Sequence, residues 1–598
     1  MPKPSYILGI NAYDHDVSTC LLRDGVIAVG IEKERITRRK HAGGFFQEAI
    51  DYCLATEGIT LDDVDLIVRN CYVLPVEELE VRMLYQGDTA ANEREQIGKS
   101  PLFLSKSDKL LTVSHHVAHA YSAFAASPFT EGAVMVVDGV GSYASDIKEP
   151  GQLTQGVNPL ARESESYYTF KGSELTPVKK FWLQPCRGLL SDEFFNMDGL
   201  GALYSRISSY IFADWNKCGE VMGLAPYGRP NNFRRLIEMK EDGELHVPEW
   251  DVSFDKPWIP DGKSKWEDSP AMRHWEDMSW RVQHDTEEVL LARARWLRET
   301  TGAKNLVMAG GVALNCVANG RIVREAGFDN VWIQPAAGDN GIAIGCAYYG
   351  HLAVQKKPRS FTMKQATLGK VYGDEDIAKV GNPLLVTRKT FDGAGDSICR
   401  EAAKLLADGN VFGWFQGRCE FGPRALGNRS ILGDPRRPEM KDILNKRVKF
   451  RQAFRPFAPI VLYERAKDIF IGEDESPFML RAKQVRPEWK DRIPAIVHVD
   501  GTARVQTVRR EDNERIYDLL VEFEKLTGVP VLVNTSFNIK GEPIVETPQQ
   551  AMNCFVYTGI DYLVLHDTLV AKSALYKVLA PFVRVWYESQ YGARDETD

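Results

Sequence analysis

The chain has 598 residues, which is enough for two or more domains with separate hydrophobic cores. Its hydrophobic fraction of 44% and charged fraction of 26% are typical of a soluble globular enzyme, and its net charge of −8 argues against a nucleic-acid partner. Its ten cysteines include no C-x-x-C pair, so neither a zinc ribbon nor a disulfide framework is indicated. No signal peptide or membrane-spanning stretch is visible. We therefore expect a cytoplasmic enzyme with no membrane partner.

The N-terminal residues predict three strands and two of their connections. Strands are expected at 6–11, 17–22 and 26–31, with a hairpin turn at Asp24-Gly25 between the last two. A polar turn containing His15 and Asp16 follows the first strand. This order is how the first lobe of an actin-like ATPase begins, and the polar turn lies where that fold brings phosphates. A helix at 45–57 and a strand at 64–69 are expected next.

A histidine-rich helix is the most distinctive feature of the first half. His115 and His119 are four residues apart, so they share one helix face, and Ser114 is the predicted N-cap. A buried strand follows and ends in Asp138. Two imidazoles and a carboxylate are suited to a divalent metal, with satisfied structural histidines as the alternative. His116 occupies the position of the glutamate base of a zinc protease helix, so we do not expect peptide hydrolysis.

The chain from residue 133 onward repeats the rhythm of strand, glycine turn and strand, which predicts a second lobe on the same plan. Strands at 305–309 and 331–334 run into glycine turns, and Asp339 follows the second turn. Glycines let the backbone approach a ligand, and helix N-termini favour anions. Acids and glycine turns at strand ends predict a cleft for a nucleotide and a metal.

Two stretches of the first half are predicted as loops, and one as a long helix. Residues 143–200, apart from a strand at 167–171, and residues 240–282 are polar and irregular, as expected of loops that carry specificity or an interface. Residues 286–300, which follow the second stretch, predict a helix.

A basic segment at 418–455 dominates the second half. It holds eleven Lys or Arg against four Asp or Glu, and its arginines alternate with Gly and Pro. This composition predicts a rigid anion site for phosphate or carboxylate, with an RNA-binding surface patch as the alternative. A strand at 530–533 leads into a run of small polar residues from Asn534 to Asn538.

Several motifs lie in a recognisable order along nearly the whole chain. They are His15-Asp16, His115-His116-x-x-His119-Ala120, Asp138-Gly139, Met222-Gly223-Leu224-Ala225-Pro226-Tyr227-Gly228, Gly310-Gly311-Val312-Ala313-Leu314-Asn315, Gly422-Pro423-Arg424-Ala425-Leu426-Gly427, Phe454-Arg455-Pro456-Phe457-Ala458-Pro459 and Asn534-Thr535-Ser536-Phe537-Asn538. Together they resemble the O-carbamoyltransferases of the nodulation-factor, tobramycin and cephem type.

The resemblance implies an α/β protein of two domains. The first is a Kae-like domain of the two-lobed actin-like ATPase class at 1–354, and the second is a YrdC-like domain at 367–598, after a linker at 355–366. The implied reaction moves the carbamoyl group of carbamoyl phosphate, through carbamoyl-adenylate made with ATP and Mg, to a hydroxyl of a small natural-product acceptor. A divalent metal, with iron expected, is the implied cofactor. The oligomeric state stays open, with a homodimer through the first domain as one arrangement.

The resemblance also implies roles for single residues. The metal ligands are His115, His119, Asp138 and Asp339; the nucleotide-binding residues are Gly310, Gly311, Asn315 and Gly338; the carbamoyl-phosphate-binding residues are Arg424, Lys449, Arg455, Arg504, Asn534 and Ser536. His15 and Asp16 form the expected catalytic pair. An alcohol is a poor nucleophile at neutral pH, so His15 is the candidate base that takes its proton. A hydrogen-bonded turn histidine is the alternative for His15.

Three other functions fit the sequence less well. A hydrogenase-maturation carbamoyltransferase carries paired C-x-x-C zinc modules, which the sequence lacks. A tRNA-threonylcarbamoylating fusion is disfavoured by the domain order and the acidic balance. A non-catalytic actin-like binding module gives no reason for the basic segment.

Overall fold

The computed structural model describes residues 3–12, 15–44, 46–71, 109–147, 153–184, 197–230, 232–248, 271–391, 395–472 and 475–591. The chain divides into two compact units, one of Met1–Thr37 with His41–Met363 and one of Arg38–Lys40 with Lys364–Asp598. Both units combine helices with β-sheets, which confirms the α/β class. Among the described helices, none is long and apolar enough to cross a membrane.

The N-terminal unit contains two five-stranded sheets and one short hairpin. Its strands are β1 (Tyr6–Asn11), β2 (Ser18–Arg23), β3 (Val26–Glu32), β4 (Leu66–Cys71), β5 (Leu110–Ser114), β6 (Glu131–Val137), β7 (Arg162–Lys171), β8 (Glu174–Leu183), β9 (Glu238–Met239), β10 (Leu245–His246), β11 (Asn305–Ala309) and β12 (Asn330–Ile333). The first sheet has the order β3-β2-β1-β4-β5, and the second has the order β8-β7-β6-β11-β12.

The two sheets repeat one plan. In the first, β1, β2 and β3 are antiparallel neighbours, and β4 and β5 run parallel to β1. In the second, β6, β7 and β8 are antiparallel neighbours, and β11 and β12 run parallel to β6. The internal repeat expected from the sequence is therefore present. Because the carboxyl ends of parallel strands meet at one edge of a sheet, residues that follow β6, β11 and β12 are brought together.

The loop predicted for residues 143–200 is wrong where β7 and β8 form a long hairpin. The prediction failed because β7 carries Glu163 and Glu165 and β8 carries Lys180, which read as exposed residues although all three are buried. The loop predicted for 240–282 is wrong from residue 272 onward, where a long helix begins, and residues 249–270 lie outside the described part.

The helices of the N-terminal unit flank these sheets. They are α1 (Lys33–Thr37), α2 (Gln47–Glu57), α3 (His115–Phe124), α4 (Leu200–Phe212), α5 (Cys218–Leu224), α6 (Met272–Thr301), α7 (Cys316–Glu325) and α8 (Ile342–Tyr348). Helix α6 extends well beyond the predicted 286–300. The prediction was too short because Glu276, Asp277 and Arg281 in the first half of the helix are buried charged residues that obscure the apolar pattern.

The C-terminal unit is built on one eight-stranded sheet. Its strands are β13 (Val386–Thr390), β14 (Phe412–Phe415), β15 (Arg429–Gly433), β16 (Ala458–Leu462), β17 (Ala482–Gln484), β18 (Thr502–Arg504), β19 (Gln506–Val508), β20 (Val531–Ser536), β21 (Tyr562–Leu565) and β22 (Thr568–Lys572). The sheet order is β13-β22-β21-β14-β15-β20-β16-β19, and β17 pairs with β18 separately. Strand β20 continues past the predicted 530–533, so Asn534 and Ser536 lie two residues apart on one face of the sheet.

Helices cover this sheet and complete its core. They are α9 (Asp374–Ala378), α10 (Gly395–Ala407), α11 (Met440–Leu444), α12 (Tyr463–Ile469), α13 (Pro487–Lys490), α14 (Glu514–Thr527), α15 (Pro548–Tyr557) and α16 (Ala574–Tyr591). Fully buried side chains of β14, β20 and α14, such as Trp414, Leu532 and Leu520, belong to one hydrophobic core.

Candidate metal centre and anion site

Helix α3 presents two histidines to the end of the second sheet. It begins directly after β5, and the rings of His115 and His119 lie 4.8 Å apart between centroids. Ser114 is the N-cap residue, as predicted, but its side chain makes no capping hydrogen bond. The N–H of His115 instead donates to Oγ of Ser142 at 2.9 Å. The helix start is therefore fixed by a residue from the loop after β6.

Two carboxylates complete a compact set of four donors. Asp138 follows β6, and its Oδ2 lies 2.9 Å from Nε2 of His115 and 3.6 Å from Nε2 of His119. Oδ1 of Asp339 lies 3.5 Å from each of the same two nitrogens. One ligand atom from each residue lies within 4.8 Å of all the others. The four residues named as metal ligands are therefore brought together.

The chemistry of this set fits a divalent cation. Both imidazoles are fully buried, and neither ring nitrogen of His119 has a hydrogen bond. Two neutral histidines and two carboxylates carry two negative charges, which match one divalent ion. Before a cation binds, a protonated His115 takes its place: its charge lowers the pKa of the Asp339 carboxyl to about 2, although burial opposes ionisation. The carboxylates therefore stay ionised, as metal ligands must.

The glycine turns lie against this set. Gly310 has φ of +92°, and its N–H donates to the carbonyl of Ala337 at 2.8 Å. The N–H of Gly311 donates to Oδ1 of Asp138 at 2.7 Å. Gly338 directly precedes Asp339, so both predicted turns border the metal ligands.

The side chain of Asn315 makes structural hydrogen bonds that the sequence did not indicate. Its Oδ1 accepts the N–H of Ala318 at the start of α7, and its Nδ2 donates to Oε1 of Gln283 at 2.9 Å. Gln283 returns a hydrogen bond of 3.1 Å to Oδ1 of Asn315. The side chain thus caps a helix, and contact with a nucleotide at this position requires the remaining amide proton or the backbone.

His15 and Asp16 form a hydrogen-bonded pair beside the metal ligands. Nδ1 of His15 lies 2.9 Å from Oδ2 of Asp16, and its Nε2 lies 3.7 Å from Oδ2 of Asp339. Because a carboxylate only accepts, Nδ1 carries the shared proton. The other oxygen of Asp16 lies 3.0 Å from Nδ1 of His41, and the ring of Trp215 stands 4.9 Å from the His15 ring.

The surroundings of His15 favour its charged form. Burial opposes the charge, but the hydrogen bond to Asp16 and the nearby Asp339 raise the pKa of His15 to about 9. A base must be neutral. A cation held by Asp339 and Asp138 offsets their charge and so lowers the pKa of His15 toward that state.

Lys449 connects to the polar run on β20. Its Nζ donates to the carbonyl and, at 3.1 Å, to the hydroxyl of Ser536, and to Oδ1 of Asn538 at 2.6 Å. Burial, together with the charges of Arg451 and Arg455, lowers the pKa of Lys449 well below its usual value. These partners use the three protons of the ammonium group, so Lys449 contacts a ligand only by exchanging one of them.

The loop that carries Arg424 is shaped by a buried glutamate. Oε1 of Glu420 accepts the N–H groups of Leu426 at 2.7 Å, Asn428 at 2.8 Å and Arg429 at 3.3 Å. Three backbone donors on one carboxylate oxygen hold the loop in one conformation. Arg424 itself is half-buried within it.

Asn534 links this loop to the segment after Arg504. Its Nδ2 donates to the carbonyl of Ala425 at 3.2 Å and to Oε1 of Gln506 at 2.8 Å. Gln506 in turn donates to the carbonyl of Leu426 at 2.9 Å. The segments of Arg424, Asn534 and Arg504 are therefore joined by hydrogen bonds. The contact between Lys449 and Ser536 joins a fourth segment to them.

Several cations of the basic segment have structural roles. Arg429 is fully buried, donates to backbone carbonyls and stacks over Phe415 at 3.5 Å. Arg436 and Arg437 both pair with the buried Asp434, at 2.7 Å and 3.6 Å. The excess of positive charge therefore does not by itself measure the predicted anion site, because part of it is structural.

Sequence reasoning missed several residues of these sites. They are Ser142, Glu163, Lys180, His41, Trp215, Glu420, Gln506 and Asn538. Most act through hydrogen bonds from distant segments, which sequence spacing does not reveal. A buried acid within a strand, such as Glu163 in β7, was the available signal.

The chain matches two family models, and several relatives are similar to it over most of its length. The model described as Carbamoyltransferase N-terminus matches residues 6–106 and 99–348, and the model described as Carbamoyltransferase C-terminus matches residues 403–572. An uncharacterized protein of Synechocystis is 38% identical over 95% of this chain and 97% of its own length. Nodulation protein NolNO of Sinorhizobium fredii is 33% identical over 94% of this chain and 80% of its own. Nodulation protein U of the same organism is 43% identical over 88% and 92%. The chain therefore belongs to the carbamoyltransferase family, as the motifs predicted, and it is an O-carbamoyltransferase.

Proposed function

We propose that this enzyme transfers the carbamoyl group of carbamoyl phosphate to a hydroxyl of a small-molecule acceptor, through a carbamoyl-adenylate made with ATP and Mg. The observation that carries the proposal is the convergence of His115, His119, Asp138 and Asp339 beside two glycine turns, within a chain of the carbamoyltransferase family.

The N-terminal unit is the proposed site of the nucleotide and the metal. Two sheets on one plan, with a hairpin and two parallel strands each, agree with an actin-like ATPase, Kae-like domain. Gly310, Gly311 and Gly338 offer backbone at the edge where phosphate groups bind in such folds. The metal, which we expect to be iron, supplies Lewis-acid stabilisation of negative charge when bound.

The C-terminal unit is the proposed site of carbamoyl phosphate, and we assign it to the YrdC-like type. Carbamoyl phosphate is a small dianion, so it suits arginine forks on a rigid loop. Arg424, Arg455 and Arg504 are the proposed phosphate contacts. Asn534 and Ser536 share one face of β20, and Lys449 holds Ser536 in place.

In the transfer step, the residues of this chain move one proton. Nδ1 of His15 donates to Asp16, which leaves Nε2 as the acceptor atom. The acceptor's O–H bond breaks and its proton goes to Nε2, the oxygen bonds to the carbamoyl carbon, and the bond from that carbon to the phosphate oxygen breaks to release AMP. Asp16 stabilises the imidazolium that forms.

The experiment is a pyrophosphate measurement without any acceptor. The protein is incubated with carbamoyl phosphate, ATP, Mg and a divalent transition metal. We expect pyrophosphate release that depends on carbamoyl phosphate and exchange of labelled pyrophosphate into ATP. The matched control replaces carbamoyl phosphate with inorganic phosphate. No difference between the two reactions would contradict the proposed adenylate.

A further inference from the structure

A buried ion pair lies behind the helix that carries the metal histidines. Nζ of Lys180 on β8 donates to Oε1 of Glu163 on β7, and both side chains are fully buried. The ammonium group also donates to the hydroxyls of Tyr168 at 2.9 Å and Ser166 at 3.3 Å. Burial opposes ionisation of Glu163, but the charge of Lys180 lowers the pKa of that carboxyl to about 2. The pair is therefore charged, fully hydrogen-bonded and neutral as a whole.

The second oxygen of Glu163 bonds to the start of helix α3. Oε2 accepts the N–H of His116 at 3.3 Å and the N–H of Ser142 at 3.1 Å. Ser142 then accepts the N–H of His115 through its hydroxyl. The first N–H groups of a helix have no partner within the helix and form its positive end. One carboxylate therefore satisfies this helix start directly and through Ser142.

The same residue holds the loop that contains Asp138. The N–H of Gly141 donates to the carbonyl of Glu163 at 2.8 Å, and the N–H of Glu163 donates to the carbonyl of Ser142 at 3.0 Å. Asp138 lies three residues before Gly141 in this loop. Two segments that together provide three of the four metal donors are thus bonded to a single residue of β7.

We propose that Glu163, together with Lys180 and Ser142, is a positioning group for the metal centre. It sets the start of α3 relative to the Asp138 loop, so that imidazole and carboxylate atoms converge. Lys180 neutralises the carboxylate, so the group adds no net charge that would compete for the cation. This inference rests on the metal centre of the proposed function.

The chain offers a matched control two residues further along β7. Glu165, also on β7, pairs with Arg293 at 2.7 Å, and both side chains are buried. Glu165 accepts the hydroxyl of Tyr167, and Arg293 donates to the carbonyl of Gly243 at 2.6 Å. In the described contacts this pair does not bond to α3 or to the Asp138 loop. Neutralising it reproduces the loss of a buried ion pair without touching the metal segments.

The experiment measures metal affinity directly. The full chain is prepared as wild type, as Glu163→Gln/Lys180→Met, as Ser142→Ala and as Glu165→Gln/Arg293→Met. The Kd for Co²⁺ is obtained by competition with a chelator, and the visible absorption of bound Co²⁺ reports its ligand geometry. We expect Kd to rise by about 10- to 100-fold in the first double variant, the range found when partners of metal ligands are removed. We expect a smaller rise in Ser142→Ala and none in the control.

The outcomes separate this inference from the metal centre itself. The positioning role is overturned if Glu163→Gln/Lys180→Met and Ser142→Ala both keep the wild-type Co²⁺ affinity and spectrum. The proposed metal centre is not affected by that result. Equal losses in the Glu165→Gln/Arg293→Met control also overturn it, because general destabilisation then explains the effect. If the first double variant does not fold, Ser142→Ala alone decides. A wild-type protein whose Co²⁺ affinity equals that of His119→Ala overturns the metal centre and, with it, the inference.

Discussion

The backbone N–H of Gly311 donates a hydrogen bond of 2.7 Å to Oδ1 of Asp138. A Cβ atom on Gly311 would lie 3.0 Å from that same oxygen. The glycine turn after β11 is thus in direct contact with the acid after β6, and the turn orients a carboxylate whose other oxygen faces His115. Two motifs about 170 residues apart in sequence form one structural unit because β6 and β11 are parallel neighbours.

Gly310→Ala should strongly destabilise the N-terminal unit. Gly310 has φ of +92°, and an added Cβ would lie 2.2 Å from the carbonyl oxygen of Val137. The backbone must therefore move, in addition to the cost of about 1–3 kcal/mol for a non-glycine residue in a backbone region that is almost restricted to glycine. Chemical denaturation checks the result. Gly302→Ala, with φ of +64° and no atom near its Cβ, should cost only the conformational part.

His119→Ala should abolish tight metal binding. The Nε2 atom of His119 is one of four donors, and loss of a ligand should weaken Co²⁺ binding by more than about 100-fold, since even partners of ligands change affinity by 10- to 100-fold. The Kd by chelator competition is the measurement. The control is His116→Gln on the same helix, because the side chain of His116 bonds to Ser166 rather than joining the donor set. Equal Kd values for the two variants would argue against the assigned ligands.

The convergence of the four proposed metal ligands was predictable from sequence because its signals are local. A spacing of four residues brings His115 and His119 onto one helix face, and Asp138 directly follows an apolar strand. Asp339 required one further step, that parallel strands end at a common edge. The inferences for His115, His119 and Asp138 use only helix or strand periodicity, which sequence displays directly.

The supporting contacts were not predictable in the same way. Glu163 was assigned to a polar loop, although it lies in a buried strand whose charged residues are paired across the sheet. Arg429 was counted among the eleven cations of the basic segment, yet it stacks on Phe415 inside the core. Burial of a charge depends on partners distant in sequence, so composition alone does not distinguish a solvated cation from a structural one.

Arg424→Ala should abolish formation of the adenylate. In the proposed function the Arg424 guanidinium contacts phosphate, and it lies on a loop whose backbone is held by Glu420, so alanine cannot replace it. We expect loss of carbamoyl-phosphate-dependent pyrophosphate release. Arg437→Ala is the control, since that cation of the same segment pairs with Asp434 and is substantially exposed. Normal pyrophosphate release by Arg424→Ala would remove this residue from the substrate site.

His15→Asn should spare adenylate formation and block transfer. Asparagine retains a polar side chain but lacks the ring nitrogen that accepts the hydroxyl proton. General acid–base groups contribute about 10²- to 10⁴-fold, so the rate of carbamoyl transfer should fall by that factor. Pyrophosphate exchange and product formation are measured on the same sample. If both fall together, His15 is required before the transfer step and is not the dedicated base.

Asp277→Asn should weaken the N-terminal unit in a pH-dependent way. Burial opposes ionisation of this carboxyl, but hydrogen bonds from Arg229 and Asn232 lower its pKa from 3.8 to about 2. The carboxyl of Asp277 binds a proton less readily in the folded protein than in the unfolded chain. Its contribution to the free energy of unfolding is therefore present above about pH 4 and is lost as the pH falls toward 2. The shift corresponds to about 2 kcal/mol.

The measurement is the free energy of unfolding in urea at several pH values. Wild type should exceed Asp277→Asn by about 2 kcal/mol at pH 7, and the difference should shrink between about pH 4 and pH 2. In a protein that also carries Arg229→Met, the effect of Asp277→Asn on the free energy of unfolding should vary less with pH. Arg229 supplies the ion pair of 2.7 Å that lowers the pKa of Asp277. A constant difference across this range would mean that Asp277 acts through packing and not through its charge.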